Sequence, residues 1–443
     1  MTNQITIFLC SLFYFAATEA TPIRSLNYVK LDLYHSSDSM YYINGLKLGT
    51  PAQSIQNVIL DTGSSDFVIA NVIYDSSKSR TFINTFEQYP EKYGSTDYFT
   101  INKVSDSLVL NSLKVTNFTM GYANRTDLDS FSGILGIGYH TREALGKETS
   151  YENLPVKLKS SGLTQRVMFS INGQPQTPSV LFGGIYPRLF QQPMTKVPFN
   201  KEVGNFSTAS VNTILALTVN SIKLKNQVIA SQKLIYEIDS GANGFATTIP
   251  ILNNILTTLG DNYVESHDSY YYPISELQGV YVKVDIQGYE VRFPIIDIVG
   301  DRKQFKGVQY GSLNLAPVQI GVNSYIGTLP NCILKYYYTV YDLEENFLLI
   351  SKYSGARDSD ICAVTSSYNP KVIATKVAPH VKDSYSVLYQ EDSETTLSAQ
   401  NESTGNTKEP DPATNGPTTP TGSNHSGYNS KFHSGRCKTR LAQ

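Results

Sequence analysis

From about Met40 to Lys352 the chain strings short β-branched and aromatic runs between Gly, Asn, Asp and Pro turns, the pattern of strands joined by tight connections. Asn57 to Leu60, Leu108 to Met120, Val167 to Ile171, Thr213 to Ile222, Val280 to Ile286 and Tyr336 to Tyr341 are such runs. Helical signals are confined to a few segments, notably Leu154 to Lys159 and Ile251 to Leu259 after Pro250. The pattern predicts an all-β body with a few short helices.

The two ends have a different character. Ile5 to Ala17 is almost wholly apolar and runs into Thr18-Glu19-Ala20, a small-residue stretch suited to signal peptidase. An apolar stretch of this length falls short of the ~20 residues that span a bilayer. Residues 1–20 are therefore predicted to be a secretory signal, followed at 21–40 by a short prosegment-like or N-terminal strand region. Beyond about Thr365, and above all from Asn401 to Ser430, Ser, Thr, Asn, Gly and Pro dominate. Such a segment buries too little apolar surface to offset chain entropy, so 365–443 is predicted to be a disordered tail whose composition suits O-glycosylation. The final Cys-Lys-Thr-Arg-Leu-Ala-Gln is not the hydrophobic tail a lipid-anchoring signal requires, so no membrane anchor is expected.

Composition narrows the function classes. With 443 residues at 40% hydrophobic content a large core is available, and 36 Lys+Arg against 38 Asp+Glu leave no basic footprint for nucleic acid. The chain has 31 Tyr and 19 Phe but no Trp, which favours strands over helices. Once Cys10 leaves with the signal, Cys332, Cys362 and Cys437 remain, an odd number for an oxidising compartment. A Cys332 to Cys362 bridge would close a loop worth about 3 to 4 kcal/mol on the loop-entropy model; the alternative is that none is paired. Asn-x-Ser/Thr sequons at Asn117, Asn124, Asn205, Asn401 and Asn424 become candidate glycan sites behind a signal peptide.

One local pattern occurs twice: an apolar strand running into Asp-Thr/Ser-Gly, followed much later by an apolar pair ending in Gly. The first copy is Val58-Ile59-Leu60-Asp61-Thr62-Gly63-Ser64-Ser65, with Gly133-Ile134-Leu135-Gly136-Ile137-Gly138 downstream. The second is Ile238-Asp239-Ser240-Gly241, with Tyr325-Ile326-Gly327 downstream. An ionised carboxylate at the end of an apolar strand is costly to bury unless it is hydrogen-bonded or shares its charge. Two such turns face to face would hold one proton between them, giving one carboxylate as base and one as acid. Such a pair can take a proton from water while giving one to a carbonyl oxygen, which hydrolyses an amide without a Ser or Cys nucleophile.

On these motifs, with Gly49-Thr50-Pro51 just upstream, the chain resembles the pepsin-like aspartic proteases from about Tyr41 to Ser351. The short region before the domain, Pro155 to Ser170 and the polar tail look most similar to the secreted fungal branch, the yapsins, barrierpepsin and candidapepsins. The resemblance implies a bilobal fold with pseudo-two-fold symmetry over 41–352, with lobes of about 41–197 and 198–352. It implies Asp61 and Asp239 as the catalytic pair that activates water, with Thr62 and Ser240 reaching across to lock the two turns together. Gly63 and Gly241 would let substrate backbone approach, and Ser64 would hydrogen-bond the outer oxygen of Asp61. Tyr93-Gly94-Ser95 matches the family's flap over the cleft. The implied partners are protein or peptide substrates, the chain is expected to be a monomer, secreted and in reach of the cell wall, and no cofactor or metal is called for.

Five departures bear on activity. Ala242 stands where the family has Ser or Thr, which removes a hydrogen bond from Asp239 and should raise the working pH. Val68 replaces the Trp that steadies the flap tyrosine. The family's Leu-Gly-Asp reads Ile326-Gly327-Thr328, the flap tip reads Tyr-Gly-Ser-Thr-Asp, and the usual cysteines of the second lobe are missing around 270–273 and 312–317. The competing reading is therefore a catalytically impaired homologue that binds peptides or cell surfaces. Other chemistries do poorly: the six His are scattered without metal-ligand spacing, and no Gly-x-Ser-x-Gly elbow or phosphate loop occurs.

Overall fold

The computed structural model describes residues 27–36, 39–91, 99–123, 133–143, 151–200, 214–231, 233–266, 269–318, 327–357, 360–364 and 372–374. The expected signal, the flap residues Tyr93, Gly94 and Ser95, the sequons at Asn124, Asn205, Asn401 and Asn424, and Cys10 and Cys437 lie outside them. Among the described residues strands dominate, and the two helices read from the sequence form as Leu154–Ser160 and Ile249–Leu259. Each carries a proline in its first turn, where the missing N–H costs nothing and the fixed φ is already helical. No described helix is long and apolar enough to cross a membrane.

Among the described residues two main sheets carry the body, one of sixteen strands and one of eight. The predicted run Leu108 to Met120 is not one strand but a hairpin: Phe99–Leu110 and Leu113–Ala123 pair antiparallel, with Asn111 at φ 55 where the chain reverses. Asn tolerates that left-handed conformation better than a β-branched residue would. Val29–His35, in the region expected to be prosegment-like or an N-terminal strand, is a strand woven between Ser179–Phe182 and Tyr41–Ile43. Within the expected tail, Val372–Ala374 pairs in parallel with Met194–Lys196, so the sheet claims three residues of that stretch.

The sheets place the two aspartate strands in matching surroundings. Val58–Asp61 is buried along its length and runs parallel to Gly133–Gly136, with Gly136 opposite Asp61. Leu234–Ile238 is equally buried and runs parallel to Gly327–Leu329. Strands covered on both faces read as continuous apolar runs, which is how these segments look in sequence. The second register corrects the sequence alignment of the repeat. Tyr236 lies opposite Gly327 and Ile238 opposite Leu329, so Gly327 corresponds to Gly133, and the position equivalent to Gly136 is Pro330. Thr328 therefore sits within the strand, and Leu329-Pro330-Asn331 holds the place assigned to Ile326-Gly327-Thr328. Packing fits this register: a Cβ on Gly327 would strike the Tyr236 ring.

Several tyrosines of the Trp-free interior bury their rings while their hydroxyls stay bonded. Tyr41 donates to the Gly173 carbonyl at 3.0 Å, Tyr338 to Ser170 Oγ at 2.8 Å, and Tyr353 to the Leu334 carbonyl at 2.8 Å. The expected Cys332 to Cys362 bridge does not form. Cys332 is buried in the turn Asn331–Lys335 within the main core, while Cys362 lies on a short strand paired with Gly184–Ile185 against a second cluster, and both are free thiols. Spacing alone carried that expectation, and the sheet puts the two cysteines in different packing environments.

Candidate active site

Each aspartate stands where an apolar strand ends, and the two turns that follow grip each other. Thr62 Oγ1 donates to the Ile238 carbonyl at 2.8 Å and accepts the Ser240 amide at 2.9 Å. Reciprocally, Ser240 Oγ donates to the Leu60 carbonyl at 2.7 Å and accepts the Thr62 amide at 3.0 Å. Both hydroxyls are buried, so four groups that would otherwise be orphaned are satisfied across the contact.

This grip brings the carboxylates together. Gly63 N donates to Asp61 Oδ1 at 2.8 Å, and Gly241 N donates to Asp239 Oδ1 at 2.7 Å. A Cβ on Gly63 would lie 2.6 Å from Asp239 Oδ2, and one on Gly241 would lie 2.6 Å from Asp61 Oδ1. The room these glycines leave is therefore first of all room for the opposite aspartate, a nearer constraint than the approach of a ligand backbone.

Beyond the glycines the turns diverge. Ser64 Oγ donates to Asp61 Oδ2 at 2.5 Å, a hydrogen bond that favours the charged carboxylate. Ala242, in the corresponding place, has no hydroxyl to offer Asp239. Burial first, then the negative charges of Asp61 and Glu237 and a hydrogen bond to Asp61, push the Asp239 carboxyl well above the ordinary carboxylate range; the Gly241 amide opposes this. Buried against a second carboxyl, Asp239 is a tenacious holder of its proton.

Residues around the grip complete the floor. Gly136 N, Ile137 N and Gly138 N donate to the carbonyls of Asp66, Asp61 and Ser64 at 2.9, 2.9 and 2.8 Å, and Ser65 Oγ donates to the Tyr139 carbonyl at 2.6 Å. In the second half Asn331 N donates to the Ala242 carbonyl at 2.9 Å, and the Asn331 side chain donates to the Ser39 carbonyl at 2.9 Å. Val68 is fully buried with Ala70, Ile101 and Ala123, and Tyr89 and Tyr151 pack against them. Tyr151 also donates to Asp66 Oδ1 at 2.5 Å, so a tyrosine from a distant segment borders the place where the sequence lacks an indole. Asn117 is exposed at φ 50, accessible as a glycan site requires. No group of three or more His, Cys, Asp or Glu suited to a metal ion occurs among the described residues.

Sequence reasoning missed Glu237 and Arg142. Glu237 is the one acidic residue in the strand Leu234–Ile238 and shares a strand face with Asp239. Its Oε2 meets Arg142 Nη1 at 3.3 Å. The available signal was an acid inside an otherwise apolar strand, a position that demands a partner.

Comparisons with known proteins agree with this geometry. A family model described as eukaryotic aspartyl protease matches residues 41–353. Secreted aspartic protease 5 of Candida albicans is 26% identical over 247 residues, covering 51% of this chain and 55% of that protein. The acid protease of Saccharomycopsis fibuligera is 24% identical over 326 residues, covering 69% of this chain and 79% of its own. Secreted aspartic protease 10 of C. albicans is 28% identical over 307 residues, covering 66% and 59%. The crystal structure of an aspartic proteinase from Irpex lacteus superposes with a TM-score of 0.60 at 18% identity, over 74% of this chain and 98% of that one, which establishes the bilobal pepsin-like fold.

Proposed function

Because the chain belongs to the eukaryotic aspartyl protease family, we propose that it is a secreted aspartic endopeptidase that hydrolyses peptide bonds with water activated between Asp61 and Asp239. The observation that carries this reading is the reciprocal grip of Thr62 and Ser240, which holds two carboxylates so close that a Cβ on either intervening glycine would strike the opposite one. Asp61, with Ser64 and Gly63 donating to it, is the base that takes a proton from water. Asp239, which holds its proton tightly, gives that proton to the carbonyl oxygen as the water oxygen adds to carbon. Asp61 then gives the proton it took from water to the departing nitrogen while Asp239 takes a hydroxyl proton back from the tetrahedral diol, so the C–N bond breaks, the carbonyl re-forms and the pair returns to its starting state. The relatives named as secreted proteases support export of this chain, and the sequence signal at 1–20 fits it.

The test is cleavage of a mixed peptide library by the secreted protein from acid to neutral pH, beside Asp61→Asn. Loss of general acid–base chemistry predicts a fall of about 10²- to 10⁴-fold in the variant. Equal cleavage by both would defeat the assignment. Absence of cleavage together with tight binding of a pepstatin-type inhibitor would instead favour the peptide-binding reading that Ala242 and Val68 raise.

A further inference from the structure

The repeat supplies an internal control. Ile59 and Glu237 occupy equivalent places, each two residues before its aspartate and thus on the same strand face as the carboxylate. Ile59 lies opposite Ile134 in the register and is buried with Met40, Tyr42 and Ile134. Glu237 lies opposite Thr328 and is equally buried, but it is an acid. The first half shows that an apolar side chain fills this position well, so packing gives no reason for a charge in the second.

The charge is held from the other half of the site. Arg142 belongs to the turn His140–Arg142, which follows the Gly133–Gly136 strand of the first repeat. It reaches Glu237 at 3.3 Å with the glutamate side chain 10% exposed and the arginine 35% exposed. A carboxylate buried as deeply as Glu237 rarely gains stability over a hydrophobic side chain, even with a partner, so its charge calls for another role. The titratable groups facing Glu237 are Arg142 from that turn, Asp61 from the opposite strand, Asp239 on its own side, and the buried Tyr341 from Tyr337–Asp342. Burial raises the proton affinity of Glu237, Arg142 opposes that, and the charge of Glu237 acts in turn on Asp239.

We propose that Glu237 is a positioning residue for the aspartate pair: its carboxylate, held by Arg142 beside Asp239, extends toward neutral pH the range over which the pair keeps the proton that hydrolysis requires. This rests on the endopeptidase reading above. The sign follows from charge alone. An anion near the pair opposes loss of its proton; replacing it with a neutral group, while the positive Arg142 stays, eases that loss, so activity ends at a lower pH.

The test compares wild type, Glu237→Gln and Glu237→Asp in the full secreted chain. The basic limb of kcat/KM against pH is measured on library-derived peptides. In parallel, the protonated-carboxyl infrared band, assigned with Asp239→Asn, is titrated in the same proteins. Glu237→Gln moves the basic limb and the band midpoint down by roughly one pH unit, and Glu237→Asp recovers at least half of the shift. A uniform fall in kcat with an unmoved limb and band, or equal effects of the Gln and Asp variants, would overturn the proposal and leave Glu237 a structural residue. Should wild type cleave nothing, the endopeptidase reading fails by itself, and the infrared titration still decides whether Glu237 governs the proton on the pair.

Discussion

The two aspartate turns share a backbone and differ in what surrounds it. Each has its strand, its parallel partner, its hydroxyl reaching across and its glycine amide on the carboxylate. Yet Asp61 has the Ser64 hydroxyl in front and Ile59 behind, whereas Asp239 has Ala242 in front and Glu237 behind. Both differences act in one direction: fewer donors and one more anion make Asp239 the reluctant acid. Symmetry of the frame brings two like groups together, and asymmetry of a few side chains gives them unlike roles.

The glycines offer the largest break in that frame. Gly63→Ala pushes on Asp239 and Gly241→Ala on Asp61, each from 2.6 Å. Displacing a reacting group by about 1 Å costs on the order of 10²-fold in rate, and both variants should lose at least that much in kcat/KM. A large loss in one and not the other would show that the turns are not mechanically equivalent. Next comes the grip itself. Thr62→Ala orphans the Ser240 amide and the Ile238 carbonyl, and Ser240→Ala orphans the Thr62 amide and the Leu60 carbonyl. Each should lower unfolding free energy by about 2–4 kcal/mol in denaturant titration, and by nearly equal amounts. The smallest effect sharpens the asymmetry: Ala242→Thr supplies a donor to the charged form of Asp239. That change lowers its proton affinity, so the basic limb of the pH–rate profile should move acidward by a fraction of a pH unit. A wild-type profile as acidic as that of the variant would remove Ala242 from the account.

The facing of the two aspartate turns could be read from the repeat of Asp-Thr-Gly and Asp-Ser-Gly, local turns that need few neighbours to specify them, while the lock of Thr62 and Ser240 came from the family resemblance those motifs carry. Glu237 offered only a weak signal, an acid within an apolar run, since the same Tyr-Glu-Ile would be an ordinary edge strand elsewhere; the sheet on both sides is what makes its charge an anomaly. The register of Gly327 was hidden, because parallel pairing has no hairpin to fix it, and it shows instead in the fit of Gly327 against the Tyr236 ring. Cysteine spacing likewise reports distance along the chain, while Cys332 and Cys362 are separated by the clusters they belong to. The missing Trp was legible as a loss, but Tyr151 beside Val68 came from a segment that no motif marked.

The Thr62–Ser240 contact has the logic of a two-fold dimer interface: what one turn gives, it receives back, and the exchange saturates. A half folded alone would present that turn with both its donor and its acceptor unmet, and the complementary turn of another copy would satisfy them as well as its own chain does. Covalent linkage of the halves is then a form of effective concentration, supplying the correct partner ahead of every competitor and keeping within one molecule a contact whose geometry would also suit two.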